Sequence, residues 1–217
     1  RQRQMCIRDS SDTSPGHRSN ISQTPPSYIP VPVLDKNMYY RLLQNCRSLQ
    51  LVINTTKFIV KGLNLAKCSV DQSDETLSEF SFKIIIKSHQ YHYPSHKEPT
   101  MAQVFMDADN IKRCSIWMDS SLGPALLWSN LPYLVNNGDK RLIWLLISRS
   151  HTGLTGLKAS AHLGITLTAA NLLRPPYPVW LFNAEKLCSD FIHKCPVCNY
   201  LHKQPTATGS LSLPRLY

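Results

Sequence analysis

Acidic residues are scarce in this 217-residue sequence, which contains 14 Asp and Glu against 24 Lys and Arg and carries a formal charge of +10. Such a basic balance favours a polyanionic partner, and nucleic acid is the first class that it indicates. Charged residues of both signs make up only 18% of the chain, against roughly 25% in an average soluble domain. A chain of this length holds one ordinary domain or two small ones, which excludes a large multidomain enzyme.

Long apolar runs are also missing. The longest covers residues 142–147 with the sequence LIWLLI, whereas a membrane span needs about 18 to 20 apolar residues. The N-terminus is too polar for a signal peptide, so the seven cysteines are not expected to form a secreted disulfide framework. We therefore expect an intracellular protein with no membrane association.

Glycine is sparse, with 8 residues against 15 prolines, a composition that allows a modest core joined by long irregular connections. Residues 1–10, RQRQMCIRDS, back-translate to a string that resembles a transposase-end sequencing adapter, and we interpret them as an artefact. This segment contains three arginines and one aspartate, so without it the formal charge falls from +10 to +8 and stays positive. Residues 11–34 are rich in Ser, Pro and Thr, which predicts a disordered linker.

Residues 35–105 form a segment for which the sequence predicts mixed α and β structure. Apolar residues at helical spacing predict a short amphipathic helix over residues 36–49. Alternation of apolar and polar side chains over residues 77–87 predicts a half-buried strand that pairs with residues 49–54. This predicted strand faintly resembles the last strand of a ribonuclease H domain.

Histidines cluster directly after that segment, in residues 88–100. Pro94 interrupts the run and no cysteine lies nearby, which makes a metal site the weaker interpretation. The stretch is predicted to be a loop with three solvated histidines, His89, His92 and His96.

Residues 106–205 carry clearer signals and are predicted to form an ordered module, followed by a tail over residues 206–217. An Asn-Gly pair marks a turn at residues 136–139, and Asp139 stands where a helix N-cap belongs. The predicted elements are strands at 125–128 and 132–135 and helices at 140–148, from Thr166 to residue 173, and at 183–193. The predicted fold class is mainly α with minor β, with a short strand hairpin before a helical bundle and an irregular N-terminal region.

Cys195-Pro-Val-Cys198 is the sharpest chemical signal in the sequence. Two residues between cysteines let both thiolates reach one tetrahedral ion at about 2.3 Å per bond. His151 and His162 lie upstream, and a His pair with a Cys pair completes a closed site of four ligands. We therefore predict a structural site in which Zn²⁺ cross-links the helical bundle. Such a site has no open position for Lewis-acid catalysis.

The sequence around these four residues resembles the N-terminal zinc-binding module of retrotransposon and retroviral integrases. The shared features are a first His, then His162-x-Gly164 with Thr166, an aliphatic helix that ends in Leu-Arg, an aromatic pair, and a helix leading into Phe-Ile-x-x-Cys-x-x-Cys. Residues 131–147 are similar to the strand, polar turn and helix that lead into this module in long-terminal-repeat elements. The resemblance covers roughly residues 115–205, about two-fifths of the chain.

The resemblance implies a polyprotein fragment that holds element-end DNA and brings integrase protomers together during DNA integration. Such a fragment would act in the nucleus or in a cytoplasmic particle. A basic set near the proposed ligands would contact DNA phosphates, although an ordinary solvated face is the alternative. This set comprises Arg174, Lys186, Lys194 and Lys203.

The spacing of the histidines departs from the family, because ten residues separate His151 from His162 where three to about six are usual. We interpret residues 157–161 as an insertion and keep His151 as the first ligand. The widely spaced carboxylates of an integrase catalytic core are also missing, so the fragment is not expected to be an enzyme. The acidic residues considered are Asp107, Asp109, Asp119, Asp139, Glu185 and Asp190.

Three other interpretations remain open at this point. Cys195 and Cys198 can be a thiol redox pair, although a position after a helix C-terminus raises a thiol pKa. They can also be two small buried hydrophobic residues. Finally, the chain can be a non-functional, degenerate copy of an element.

Overall fold

The computed structural model describes residues 30–63, 73–94, 103–115, 131–152 and 162–203. Within these ranges the chain is mainly α-helical with one small sheet, which confirms the predicted fold class. The helices are α1 (Lys36–Asn45), α2 (Leu49–Gly62), α3 (Asp74–His92), α4 (Lys140–His151), α5 (Ile165–Leu172), α6 (Ala184–Ile192) and α7 (Pro196–Lys203). The strands are β1 (Gln103–Met106), β2 (Lys112–Ser115), β3 (Tyr133–Val135) and β4 (Val179–Leu181).

The four strands form one sheet in the order β1-β2-β3-β4. β1 and β2 form an antiparallel hairpin, β2 pairs antiparallel with β3, and β3 pairs parallel with β4. The hairpin turn is closed by the Asp107 carboxylate, which accepts from the backbone N–H groups of Asp109 and Ile111. Of these strands, β3 was predicted from the sequence, whereas predicted strand 125–128 lies outside the described residues.

The first helix confirms the amphipathic pattern, with Tyr39, Leu42 and Leu43 on its buried face. Asp35 caps it by accepting from the N–H groups of residues 37 and 38. This is the bonding expected of an N-cap carboxylate, which satisfies helix donors that have no intrahelical acceptor.

The predicted strand over residues 77–87 is wrong, because this stretch lies inside the 19-residue helix α3. Its proposed partner, residues 49–54, lies in α2. The alternation is misleading because Ser81 and Ile85 are as fully buried as the Phe and Ile residues between them. A helix packed against α1, α2 and β3 accepts apolar residues on several faces, so its pattern loses the period of 3.6.

The predicted loop over residues 88–100 is also wrong in its first part, since α3 continues to His92. His89 is fully buried and His92 is half-buried, so neither is a solvated loop residue, and His96 lies outside the described residues. His92 Nε2 lies 2.7 Å from the Leu34 carbonyl. α3 therefore uses its last turn to hold the segment before α1.

The predicted disordered linker is wrong for residues 30–34, and residues 1–29 lie outside the described part of the chain. Val31 and Leu34 are buried. The Ser88 hydroxyl accepts from the Leu34 N–H at 2.9 Å, and the Lys87 ammonium donates to the Val31 carbonyl at 2.8 Å. Buried apolar side chains and two hydrogen bonds therefore hold this segment on α3.

The second half of the chain follows the prediction more closely. Asp139 caps α4 through bonds from the N–H groups of residues 141 and 142. Helices α5 and α6 start and stop within two residues of the predicted bounds. The sequence did not predict β4 or α7, and the predicted tail over residues 206–217 lies outside the described residues.

One cluster of buried side chains extends from Val31 to Cys188. It includes residues of α1, α2 and α3 together with residues of the sheet and of α4 to α6. The two segments that the sequence divides at residue 105 therefore share a core. No helix in the described ranges is long and apolar enough to cross a membrane.

The buried His89 should make folding stability depend on pH. Desolvation lowers the pKa of His89 from 6.5 to about 4, an effect that the nearby Asp139 carboxylate partly opposes. The unfolded chain then binds a proton between pH 6.5 and 4 that the folded chain does not, so stability falls as the pH falls through this window. The loss attributable to His89 should approach about 3 kcal/mol near pH 4.

The measurement is the free energy of unfolding against pH from urea titrations. His89→Phe keeps a ring against Tyr93, which stacks on His89 at 5.4 Å, and removes the titration. We expect a flatter profile than that of the parent chain, whereas the exposed control His193→Gln should keep the parent slope. Parallel profiles for the parent and His89→Phe would contradict the assignment.

Candidate metal centre

His151 ends α4 and is almost completely buried. Its Nδ1 lies 2.9 Å from the Leu163 carbonyl, and the Leu163 N–H donates to the His151 carbonyl at 3.0 Å. A proton on Nδ1 satisfies the first contact and leaves the Nε2 lone pair directed at the other ligand-type atoms. Histidines that bind metals commonly donate their second N–H to a carbonyl in this way.

His162 stands just before α5 and is half-buried. Its Nδ1 lies 2.9 Å from Nε2 of His151, and the two rings meet edge to face at 78°. The Leu163 carbonyl that fixes His151 also accepts from the Thr168 hydroxyl of α5. The start of α5 is thereby tied to the end of α4.

The two cysteines lie where α6 gives way to α7. Cys195 directly precedes Pro196, the first residue of α7, and its carbonyl accepts from the Asn199 N–H at 2.9 Å. The pair therefore stands at the N-terminal end of a helix as well as after α6. The sequence predicted only the first of these two positions, because α7 was not predicted.

The sulfurs contact both imidazoles. Cys198 Sγ lies 3.3 Å from His151 Nε2 and 3.5 Å from His162 Nδ1, while Cys195 Sγ lies 3.3 Å from His162 Nδ1. The four ligand atoms all lie within 4.8 Å of one another. Three separate parts of the chain thus place the four predicted metal ligands in one group.

Four of the six distances between the ligand atoms are close to those around a tetrahedral ion. Bonds of 2.0 to 2.3 Å to one centre separate two nitrogens by about 3.3 Å and a nitrogen and a sulfur by about 3.6 Å. The nitrogen–nitrogen distance of 2.9 Å and the nitrogen–sulfur distances of 3.3 to 3.5 Å need to widen by only a few tenths of an ångström. The group can therefore hold a metal ion.

The protonation states of the two cysteines and two histidines also favour a bound cation. Desolvation, followed by the neighbouring Cys195, raises the pKa of the Cys198 thiol. Desolvation is also the main cause that lowers the pKa of His151, and His162 adds to it. Neutral imidazoles are competent ligands, whereas two adjacent buried thiolates need a bound cation to compensate their charge.

An aromatic side chain that the sequence did not assign to the site supports the cluster. Phe191, on the last turn of α6, packs against the His151 ring at 5.5 Å and against Trp144 at 5.7 Å. The signal was present, because Phe191 belongs to the Phe-Ile-x-x-Cys motif. It lies four residues before Cys195, at the end of α6.

The predicted nucleic-acid contacts lie on the surface around this unit. Arg174 follows α5, Lys186 lies on α6 and Lys194 follows α6, and all three are exposed. Lys203 ends α7, and its side chain lies outside the described residues. Of the aromatic pair, Tyr177 is buried against Phe82 and Trp180 is half-buried, as a core role predicts.

Most of the acidic residues considered for catalysis in the described ranges have structural contacts. Asp107 pairs with Arg113 at 2.8 Å, and Asp109 pairs with Lys83 at 3.2 Å. Asp139 caps α4, and Asp119 lies outside the described residues. These contacts do not draw the carboxylates into one site.

Comparison of the chain with protein-family models, with curated proteins and with solved structures finds no match. The site therefore has to be judged from its own geometry.

We predict one bound divalent ion per chain, lost together with helical structure when a ligand is removed. Cys195→Ser, Cys198→Ser and His162→Ala should each abolish stoichiometric metal and destabilise the segments around α5 to α7, because the free energy of metal binding is folding free energy for the segments that the ion joins. The exposed His193, two residues before Cys195, provides a matched control in His193→Ala. The measurement combines metal content after dialysis with helical circular dichroism and thermal melting.

His151→Ala tests the unusual first ligand. It should weaken metal binding as strongly as His162→Ala does, because both imidazole nitrogens contact the sulfurs. Full metal content in His151→Ala would mean that another group is the fourth ligand. Unchanged helical signal and melting in a metal-free preparation would remove the structural role.

Proposed function

We propose that His151, His162, Cys195 and Cys198 hold a structural Zn²⁺ ion. The observation that carries this proposal is the mutual contact of two imidazole nitrogens and two sulfurs from separate parts of the chain. Two thiolates and two imidazoles in a tetrahedral arrangement are the donor set of structural zinc sites. When bound, the ion supplies a cross-link between helices, and four protein ligands leave no position for a reacting water.

We further propose that this unit is the zinc-binding module of an integrase-like protein from a long-terminal-repeat retrotransposon, and that it binds DNA. The order of elements around the cluster supports this proposal. A strand, a polar turn and a helix lead to the first His, His-x-Gly opens the next helix, and a further helix leads into the Cys pair. His151 ends α4, His162 lies just before α5, and the Cys pair lies at the start of α7.

The proposed role is binding and assembly, without a catalytic step in this fragment. Arg174, Lys186 and Lys194 would contact DNA phosphates, and Lys203 would extend the same set along α7. Such contacts position a protein on DNA without reading its sequence. The module would also bring integrase protomers together, which requires the rigid surface that a metal cross-link maintains.

A thiol redox protein is the second candidate, and the N-terminal end of α7 is the observation that favours it. A helix N-terminus stabilises a thiolate. However, the sulfurs face imidazoles within 3.5 Å, an arrangement that suits a shared cation. Ready formation of a Cys195–Cys198 disulfide in the zinc-loaded protein would favour the redox function and count against the structural ion.

Binding to double-stranded DNA should be weak and strongly dependent on salt. Neutralising a phosphate releases counterions, so each contact contributes about 0.9 to the slope of log affinity against log salt. Arg174→Gln, Lys186→Gln and Lys194→Gln should each reduce that slope by about this amount. Fluorescence anisotropy with a labelled duplex at several salt concentrations measures it.

Lys36→Gln and Lys61→Gln are the matched controls, since both lysines are exposed on α1 and α2, away from the metal centre. They should leave the slope unchanged. An affinity indifferent to salt, or no binding at low ionic strength, would contradict the proposed DNA contact. If all five substitutions reduce the salt slope equally, the DNA contact cannot be assigned to Arg174, Lys186 and Lys194.

Removing residues 157–161 tests the proposed insertion, which lies outside the described residues. The bonds between His151 and Leu163 already hold the two ends of this connection together. Closing a shorter loop costs slightly less entropy, since the cost grows only with the logarithm of length. The deletion should keep zinc binding and raise the melting temperature slightly, as calorimetry of the zinc-loaded protein would measure. Loss of zinc would show that the connection is required for ligation.

A further inference from the structure

An open groove lies between α4 and α6, beside the metal centre. Its volume is about 400 Å³, and its floor is apolar, with Ile143 and Phe191 among the lining residues. Lys140, Asp190 and Lys194 line its polar part. The volume lies within the range of small-molecule sites, whereas a docked helix would need a longer surface.

Trp144 forms one wall of the groove and is 42% exposed. The Arg141 guanidinium lies over one face of its ring, 4.8 Å from the centroid, and the Phe191 ring packs against it at a tilt of 54°, 5.7 Å away. Arg141 is itself fixed, because it donates to the Leu43 carbonyl at 3.2 Å and to the Cys46 carbonyl at 2.6 Å. The indole is therefore pre-oriented, which lowers the entropic cost of stacking a ligand on it.

The charged groups fit a nucleotide. Lys140 begins α4 and Lys194 follows α6, and both are exposed cations with flexible stems that can reach phosphate oxygens. The Asp190 carboxylate can accept a hydrogen bond from an exocyclic amino group, as acidic side chains do from the N4 amino group of cytosine. An aromatic platform combined with cations is the usual way in which proteins bind single-stranded nucleic acid.

We propose that this groove binds an unpaired nucleotide of single-stranded DNA. The base stacks on the face of Trp144 opposite Arg141, Lys140 and Lys194 contact the flanking phosphates, and Asp190 accepts from the base amino group. This site would extend the proposed contact with duplex DNA. It depends on the proposed function only in taking the partner to be a nucleic acid. Thymine has no exocyclic amino group, so the geometry favours cytosine over thymine.

The test uses the zinc-loaded full chain and labelled homopolymers of deoxycytidine and thymidine at low salt. Trp144→Leu should weaken binding of the cytidine strand roughly tenfold, since one stacked base contributes about that much. Trp144→Phe should lose less. Phe58→Leu is the matched control, because Phe58 is 76% exposed on α2, away from the groove. Circular dichroism and zinc content confirm that each variant is folded.

Two further variants address the polar groups. Lys140→Gln should reduce the salt slope for single strands by about 0.7 and leave duplex binding unchanged, whereas Lys61→Gln should change neither. Asp190→Ala should remove the preference for the cytidine strand. If the parent chain binds single strands but no duplex, the proposed duplex contact is wrong and the groove assignment stands.

The groove assignment is overturned if Trp144→Leu and Trp144→Phe bind single strands as tightly as the parent chain. It is also overturned if these variants weaken duplex and single-strand binding equally. Trp144-dependent binding of an acidic apolar peptide, without binding of either homopolymer, would assign the groove to a protein partner instead.

Discussion

The hydrogen bond from His151 to the Leu163 carbonyl is the contact on which the metal centre depends. It directs Nε2 of a buried imidazole at His162 and Cys198, and it holds together the two ends of the connection between α4 and α5. A buried imidazole with no such partner could take either tautomer and several ring orientations. The cluster therefore exists because helix α4 ends at His151 and the chain returns at Leu163.

The position of α4 depends in turn on the first three helices. Arg141, in its first turn, donates to carbonyls at the end of α1, and the apolar face of α4 lies in the core shared with α1 and α2. Arg141 also backs Trp144, while Phe191 joins Trp144 to His151. Residues 36–92 thus support the centre without contributing a ligand.

The sequence predicted the features that depend on residues close together in the chain. Asp139 marks the start of α4 through its own side chain, and the spacing of Cys195 and Cys198 is a property of four consecutive residues. By contrast, α3 was mistaken for a strand because its burial is set by neighbours far along the chain. The helix start signals were nevertheless present, since Ser73 caps the helix and acidic residues occupy its first turn.

Several carboxylates in the described ranges serve ion pairs and helix caps. Asp107 and Asp109 are engaged with Arg113 and Lys83, Asp74 pairs with Lys57, and Asp35 and Asp139 cap helices. Within the described ranges, no ion pair forms with Lys186 or Lys194 on the exposed side of α6. α6 also carries the exposed Glu185 and Asp190, so a DNA contact on this side depends on where Arg174, Lys186 and Lys194 stand relative to these two carboxylates.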